Sequence, residues 1–164
     1  MSGDITHWKE LETALDTLFI NRTRKHAFFF HRFYDTRSAG NYLPDQPADF
    51  LCLNRGRVHF IEAKFSERHD SLRSCFAGSV RKGQLASAFL VKRAMGNYWI
   101  LFYSSNSRLF EVWDGGYCRE QYKQGKRLEI SERKTYRTLE SAVLGGMFNG
   151  YRKDLLRSTS RSEA

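Results

Sequence analysis

The sequence predicts an α/β domain in which a mixed β-sheet is flanked by helices. Two segments have apolar residues at helical spacing, and five short runs between and after them are rich in aromatic and β-branched residues. The chain has 164 residues, of which 41% are hydrophobic and 15% aromatic, enough to form the core of one domain. The predicted order of elements is α-β-β-β-α-β-β.

The first element is a helix over residues 4–20, with Asp4 or Thr6 as its N-cap. Its apolar stripe is formed by Trp8, Leu11, Leu15, Leu18 and Phe19. Glu12 lies on that stripe. An acidic residue there is either part of a functional site or a helix-edge residue whose carboxylate reaches water, and the helical pattern leaves both alternatives open.

A strand is predicted over His26–Tyr34, followed by a polar loop that contains both prolines of the chain. A β-hairpin follows, in which Phe50–Leu53 and Val58–Phe65 flank a turn at residues 54–56. Residues 66–78 are expected to form a loop or a short helix. A second helix is predicted over residues 79–95 and is closed by Gly96.

The second half of the chain begins with two further strands, Tyr98–Tyr103 and Leu109–Trp113. Two consecutive glycines at 115 and 116 are expected to break the pattern. Residues 117–137 are polar and basic, with a short strand or hairpin through Arg127–Ile130, and a last helix is predicted over residues 138–157. We expect a single domain over residues 1–157, with a core at about 4–113, an extension at 114–157 and a disordered tail at 158–164.

The hairpin predicts a cluster of charged groups. Glu62 and Lys64 share one face of the second strand, because side chains alternate between faces, and the chain reversal brings Asp49 roughly opposite Ile61 and Glu62. Two carboxylates beside an ammonium group suit a hard divalent cation and a phosphate. The alternative is a solvated surface ion pair. The apolar neighbours of Glu62 and Lys64 favour the first, since burying charges without compensation is costly.

The net charge indicates which kind of molecule the protein binds, and the cysteines indicate the compartment in which it works. The chain has a net charge of +9, and the basic excess begins after residue 50: residues 1–50 carry 6 Lys and Arg against 7 Asp and Glu, whereas residues 51–100 carry 9 against 3. A polyanion is therefore the expected partner. No apolar run is long enough to cross a membrane. Three scattered cysteines are expected to be free thiols in a reducing compartment, and a structural zinc site is not indicated.

These residues together resemble the PD-(D/E)xK nuclease superfamily and, within it, the archaeal-type Holliday junction resolvases. The similarity covers roughly residues 8–103. It rests on Glu12 with its following apolar residues, the loop Arg37-Ser38-Ala39-Gly40, Asp49, and Glu62-Ala63-Lys64. The first motif departs from the family pattern, because the proline lies two residues before Asp49 in Pro47-Ala48-Asp49; Pro44-Asp45 lies too early for the strand. Residues 114–164 have no counterpart in the resemblance.

The resemblance implies a restriction-endonuclease-like fold and metal-dependent phosphodiester hydrolysis. It implies that Asp49, Glu62, the Ala63 carbonyl and Glu12 hold Mg²⁺ or Mn²⁺, and that Lys64 and Ser38 complete the catalytic set. It also implies DNA contacts by a group of polar and basic residues, namely Arg37, Arg73, Arg81, Lys82 and Gln84. For each basic residue considered alone, the alternative is a solvated surface charge, and for Gln84 it is an ordinary polar residue in the first turns of a helix.

The expected protein is therefore a homodimeric, structure-specific endodeoxyribonuclease, a Holliday junction resolvase that acts on four-way DNA junctions in recombination and repair. One alternative is another nuclease of this superfamily, of restriction, single-strand or phage DNA-processing type. A second is a non-catalytic nucleic-acid-binding module on the same fold. The expected location is the cytoplasm, which is also compatible with a virus-encoded protein that acts in its host cell.

Overall fold

The computed structural model describes residues 4–33 and 46–149. Over these residues the chain forms one six-stranded mixed sheet with helices on both faces, which confirms the predicted α/β class. The strands are β1 (Phe28–Arg32), β2 (Phe50–Asn54), β3 (Arg57–Ser66), β4 (Asn97–Ser104), β5 (Leu109–Asp114) and β6 (Lys134–Tyr136). The helices are α1 (Trp8–Lys25), α2 (Leu72–Ser79), α3 (Lys82–Arg93), α4 (Gly115–Lys123), a 3₁₀ turn at Ile130–Glu132 and a π-helix, α5, at Ser141–Phe148.

The strands lie side by side in chain order, and every neighbouring pair is antiparallel except β3 and β4, which are parallel. The predicted hairpin is confirmed as β2 and β3, with Phe50 paired to Ile61. Its turn residues Arg55 and Gly56 both have positive φ, at 52° and 74°. A two-residue turn with this backbone matches the right-handed twist of the strands that it joins.

The β3–β4 connection places α2 and α3 on one face of the sheet, because parallel neighbours need a crossover. The core is accordingly divided between the two faces. On one face, α1 and α5 cover Phe50, Ile61 and Leu101. On the other, α2, α3 and α4 cover Ile100, Phe102 and Trp113. All eight residues of β4 are buried, as expected for a strand covered on both faces.

Helix α1 begins and ends later than the predicted range of 4–20. His7 is the N-cap: its ring accepts a hydrogen bond from the Lys9 amide, and the Glu10 carboxylate accepts one from the His7 amide. The predicted caps, Asp4 and Thr6, were wrong. Thr6 instead donates from its amide to Glu10, at 2.6 Å, so the first helical turn starts after it.

The predicted segment at 66–78 contains α2, and the second helix starts at Lys82 rather than at residue 79. Ser71 caps α2 by accepting a hydrogen bond from the Arg73 amide. At the end of α3 the left-handed residue is Met95, with φ of 61°, and not the following glycine. The Gly96 amide still donates to the Val91 carbonyl, at 2.9 Å, and α3 ends at Arg93, two residues before the predicted end at residue 95.

The C-terminal part differs most from the prediction. Gly115 and Gly116 do not break the pattern but begin helix α4, which is capped by the Asp114 carboxylate through the Tyr117 amide at 2.9 Å. A glycine is needed there, because a Cβ atom on Gly115 would lie 2.5 Å from Cδ1 of Tyr98. The predicted strand through Arg127–Ile130 was wrong, since β6 lies at Lys134–Tyr136. The predicted helix at 138–157 is present as α5, and its second half lies outside the described residues.

The described residues include no helix that combines the length and apolar character needed to cross a membrane. The expected disordered tail at 158–164 lies outside the described ranges. The extension after residue 113 does contact the core, because β6 pairs with β5 and α5 packs on the same face as α1.

Candidate active site

Two carboxylates meet where β2 begins and β3 passes the middle of the sheet. The Asp49 amide donates to the Ile61 carbonyl at 3.2 Å, which continues the hairpin by one residue and brings Asp49 beside Glu62. The Asp49 carboxylate then turns across the strand, and its Oδ2 accepts the Ala63 amide at 2.7 Å. The predicted juxtaposition of Asp49 with Ile61 and Glu62 is therefore present.

Glu62 and Lys64 lie on the same face of β3, as predicted, with Nζ of Lys64 at 2.8 Å from Oε1 of Glu62. The same oxygen accepts a short hydrogen bond from Nε2 of Gln84, on the first turn of α3. Gln84 is itself oriented, because its Oε1 accepts the Arg81 amide at 2.9 Å. The residues on either side of Glu62 along β3, Ile61 and Ala63, face the core on the opposite side of the sheet, because side chains alternate along a strand.

The surroundings of Asp49 and Glu62 disfavour the ionisation of both carboxyl groups at once. Burial raises the pKa of the Glu62 carboxyl, and the neighbouring Asp49 charge raises it further. Burial also raises the pKa of Asp49, against the hydrogen bond from Ala63 and the positive charge of Lys64, which lower it. Glu62 is only 3% exposed. Two acids in this setting need an additional positive charge to remain ionised together.

Arg81 and Tyr98 complete the wall around the carboxylates. The Arg81 charge lowers the pKa of both Asp49 and Glu62, which places its guanidinium within electrostatic reach of each. The Tyr98 hydroxyl donates to the Pro47 carbonyl at 2.7 Å and so fixes the turn that leads into Asp49. Burial, and then the charges of Glu62 and Asp49, raise the pKa of Tyr98, which remains a neutral donor.

Glu12 is half-buried on α1, and its Oε2 lies 2.5 Å from Nη2 of Arg32. Arg32 also bonds Asp16 at 3.1 Å, so one guanidinium on β1 holds two acids one helical turn apart. Burial raises the pKa of Glu12, and the Asp49 charge is the next largest cause. Glu12 thus faces the site from α1, within electrostatic reach of Asp49, while its carboxylate is bound to Arg32.

The remaining predicted residues lie at different distances from this centre. Arg73, on α2, donates from Nε to the Leu128 carbonyl at 2.7 Å, which ties it to the segment after α4. Lys82 is exposed on the first turn of α3, beside Arg81. Arg37 and Ser38 lie outside the described residues, so their predicted roles stay predictions.

Sequence analysis missed two residues of the site, Arg32 and Tyr98. Arg32 lies at the end of an aromatic strand, where its charge is the one departure from an apolar run. Tyr98 is the second residue of β4, a strand that is buried throughout, and its hydroxyl is the feature that distinguishes it from the apolar core residues that follow it. Neither partner could be read from spacing, because Glu12 and Pro47 lie 20 and 51 residues away along the chain.

The donor set fits a hard divalent cation of the Mg²⁺ or Mn²⁺ type. Asp49 and Glu62 supply carboxylate oxygens, and because burial raises the pKa of each, a nearby cation would favour their ionised forms. Within the described ranges, no three side chains of His, Cys, Asp or Glu are grouped closely enough to hold a metal by themselves. A cation would therefore be held by the carboxylate pair together with backbone carbonyls, water or phosphate, as is usual for Mg²⁺.

Comparison with known proteins gives a weak structural similarity. No known protein family matches the chain, and no curated protein matches its sequence. Among solved structures, the chain is similar to Hjc, a Holliday junction resolvase from the archaeal hyperthermophile Archaeoglobus fulgidus. The identity is 10% and the TM-score 0.41, over 63% of this chain and 75% of that chain. Similarity at this level says nothing about activity, so the functional proposal rests on the residues of this chain.

Proposed function

We propose that this protein is a divalent-metal-dependent nuclease that hydrolyses phosphodiester bonds in DNA. The single observation that carries the proposal is the buried pair Asp49 and Glu62, whose carboxyl pKa values are both raised, beside an ammonium group 2.8 Å from Glu62. A structural ion pair needs one carboxylate for each cationic side chain, and a second carboxylate beside it is repelled. A site that binds a metal cation next to a phosphate uses both carboxylates as ligands.

The roles of the residues follow from their contacts. Asp49 and Glu62, with the Ala63 carbonyl, would hold Mg²⁺ or Mn²⁺. When bound, the metal would polarise the scissile phosphate and lower the pKa of a bound water. Lys64 would stabilise negative charge that develops on the phosphate. Gln84 and Ala63 orient the two carboxylates through Nε2 and the backbone amide, so the metal would meet them already positioned.

Glu12 and Arg32 are proposed as outer members of the site. In the described arrangement Glu12 pairs with Arg32, so it would contribute directly to the metal only after exchanging that partner. Arg81 and Lys82, at the start of α3, are proposed contacts to neighbouring phosphates, which position the substrate without reading its sequence. Ser38 and Arg37 are proposed for the same phosphate region on the resemblance alone.

The finer proposal is a homodimeric Holliday junction resolvase acting on four-way DNA junctions. It is supported by the residues of the resemblance, Glu12, Asp49, Glu62 and Lys64, and by the net charge of +9, which suits a polyanionic substrate. A dimer is proposed because paired nicks in a junction need two sites related by a two-fold axis. Other nucleases of the same superfamily differ from this proposal in substrate alone.

The test is cleavage of a labelled four-way junction beside matched linear duplex, single strand and flap substrates, with Mg²⁺, with Mn²⁺ and with EDTA. Asp49→Asn is the test variant, and Asp4→Asn, an exposed acid, is the matched control. We expect metal-dependent cutting that Asp49→Asn abolishes while DNA binding persists, and that Asp4→Asn leaves unchanged.

The outcomes separate the alternatives. Paired symmetric nicks on the junction alone support the resolvase, and gel filtration then checks for the dimer. Metal-dependent cutting of the other substrates would support the proposed active site but replace the four-way junction with another DNA substrate. Binding to DNA without cutting on any substrate, by the wild-type protein, would overturn the nuclease proposal in favour of a non-catalytic binding module.

A further inference from the structure

A second concave surface lies on the same face of the sheet as the carboxylate pair. It is a cavity of about 700 Å³ between α2 and the segment that follows α4, here called the α2–α4 cavity. Its walls come from residues 73–79 and 125–128, together with His69 and Tyr122. A volume of this size accommodates a nucleotide-sized ligand. None of its lining residues contacts the carboxylate pair, and one of them, Arg73, is among the DNA contacts that the resemblance implied.

The charge of the α2–α4 cavity is one-sided. Arg73, Lys126 and Arg127 line it, with His69 at its edge, and none of its thirteen lining residues is acidic. Elsewhere in the described ranges, by contrast, Arg32, Lys64, Lys92 and Arg133 each form an ion pair with a carboxylate. A cluster of cations with no lining carboxylate attracts an anion such as a phosphate.

An aromatic ring lies beside these cations. Tyr122, near the end of α4, is 38% exposed and lines the cavity, and its ring meets Phe76 of α2 edge to face with centroids 6.4 Å apart. Phe76 is buried, and it packs against the Tyr122 ring on the side of the core. A supported, exposed tyrosine next to basic side chains is the combination that stacks an unpaired base and grips its phosphate.

The walls are built to keep this arrangement. Helix α4 is followed by its C-cap, Gln124, and then by Gly125 with φ of 65°, and the Lys126 amide donates back to the Gln121 carbonyl at 2.9 Å. This ending turns the two basic residues after it towards α2. Opposite them, the Nε of Arg73 donates to the carbonyl of buried Leu128, which joins the two walls.

From this geometry we propose that the α2–α4 cavity binds unpaired nucleotides of a single-stranded DNA segment, with a base stacked on Tyr122 and the backbone held by Lys126 and Arg127. The proposal rests on the proposed nuclease function, since it supplies a second contact for the same substrate. Ser79 lines the cavity and is two residues from Arg81, so these Cα atoms are at most about 7.6 Å apart. One strand can therefore reach both places.

The test is binding of a fluorescein-labelled oligothymidine and of a matched duplex, measured by anisotropy with EDTA present so that no cleavage intervenes. We expect Tyr122→Ala to weaken single-strand binding roughly five- to a hundred-fold, the range for loss of one stacked base. Duplex binding should change less than twofold. Tyr122→Phe keeps the ring and should bind single strand as the wild type does.

The charged wall is tested by Lys126→Ala combined with Arg127→Ala. Removing two phosphate contacts should reduce the salt slope of single-strand binding by about 1.4, since each contact contributes about 0.7. Lys123→Ala is the matched control, because Lys123 lies three residues away on α4 and does not line the cavity. Its slope should stay that of the wild type. Thermal melting of each variant checks that the fold is retained.

Several results would overturn the proposal. They are equal loss of duplex and single-strand binding in Tyr122→Ala, a loss in Tyr122→Phe as large as in Tyr122→Ala, or an effect of Lys123→Ala equal to that of the double variant. Its failure is distinct from failure of the nuclease proposal. If cleavage depends on Asp49 but single-strand binding does not depend on Tyr122, only the proposal for the α2–α4 cavity is overturned. If single-strand binding depends on Tyr122 but the protein cleaves no substrate, only the nuclease proposal is overturned.

Discussion

Replacing Glu62 by glutamine should make the metal-free protein more stable while removing its response to metal. In the wild type, an ionised Glu62 is buried beside Asp49, and both burial and the Asp49 charge raise its pKa. Glutamine removes that cost and keeps an acceptor oxygen for Gln84 and Lys64. Lys64 also retains an electrostatic partner, because its charge acts on Asp49 as well.

The magnitude follows from the contacts that change. The variant loses the ion pair at 2.8 Å between Lys64 and Glu62, but Lys64 keeps the amide oxygen as an acceptor and the Asp49 charge nearby, so we expect this loss to cost about 1 kcal/mol. It gains relief from burying a repelled carboxylate, worth about 1.4 kcal/mol for every tenfold change in the acid dissociation constant of that group. We expect the free energy of unfolding at pH 8 in EDTA to rise by about 1–2 kcal/mol. Each kcal/mol corresponds to a rise of about 2–4 °C in Tm for a domain of this size.

The sign and its pH dependence are fixed by linkage. Because the folded protein holds the Glu62 proton more tightly than the unfolded chain does, the associated stability is fully present below about pH 4.5 and is lost as pH rises through the raised pKa. The advantage of Glu62→Gln should therefore vanish near pH 4.5 and grow towards pH 8. The matched control is Glu67→Gln, at an exposed acid five residues further along, which should show no such trend.

The assay is urea unfolding of wild type, Glu62→Gln and Glu67→Gln, each in EDTA and in Mn²⁺. Metal at a hundred times its Kd should stabilise the wild type and Glu67→Gln by about 2.7 kcal/mol. Glu62→Gln should gain little. A Glu62→Gln protein that is less stable than wild type in EDTA at pH 8, or that Mn²⁺ stabilises fully, would refute the assignment of Glu62 as a metal ligand.

Three further predictions concern stability and the turn into Asp49. Burial, followed by the Arg57 charge, lowers the pKa of His59 to about 4. The wild type should therefore lose on the order of 3 kcal/mol of stability as the pH falls from 6.5 to 4. Urea unfolding of His59→Gln should show no such loss. Gly115→Ala should cost about 1–3 kcal/mol by thermal melting, because the new methyl group meets the Tyr98 ring; Gly78→Ala, in open space, should not. Tyr98→Phe should lower stability by about 1–2 kcal/mol and reduce cleavage, since the Pro47 carbonyl loses its donor, and unchanged cleavage would contradict that role.

The site was predictable where it depends on local geometry. Alternation along β3 places Glu62 beside Lys64, and a two-residue turn fixes which residue lies opposite, so the positions of Asp49, Glu62 and Lys64 follow from the hairpin alone. The two apolar faces of β3 also followed from its composition. Strands β1 to β5 and helices α1 and α3 were recognised with shifts at their ends, whereas the strand predicted through Arg127–Ile130 was wrong and helix α4 was not predicted.

What could not be predicted depends on contacts between distant parts of the chain. Gly115 looks like a helix breaker in isolation, and its reason for being there is the Tyr98 ring, which no local pattern reveals. The partner of Glu12 is likewise Arg32, on a different element, which the helical pattern does not reveal. Met95 adopts the left-handed conformation beside a glycine that would have taken it more easily, and the structure shows no reason for this choice.

The burial of all eight β4 residues has a consequence for how the protein opens. Amide hydrogens on β4 are expected to exchange only through global unfolding, whereas the three-residue edge strand β6 is paired on one side only and should open first. The strand that bears Glu62 and Lys64 is bonded to β4 along eight residue pairs. Glu62 and Lys64 therefore belong to the slowest-exchanging part of the molecule, and fraying of the C-terminal edge leaves them in place.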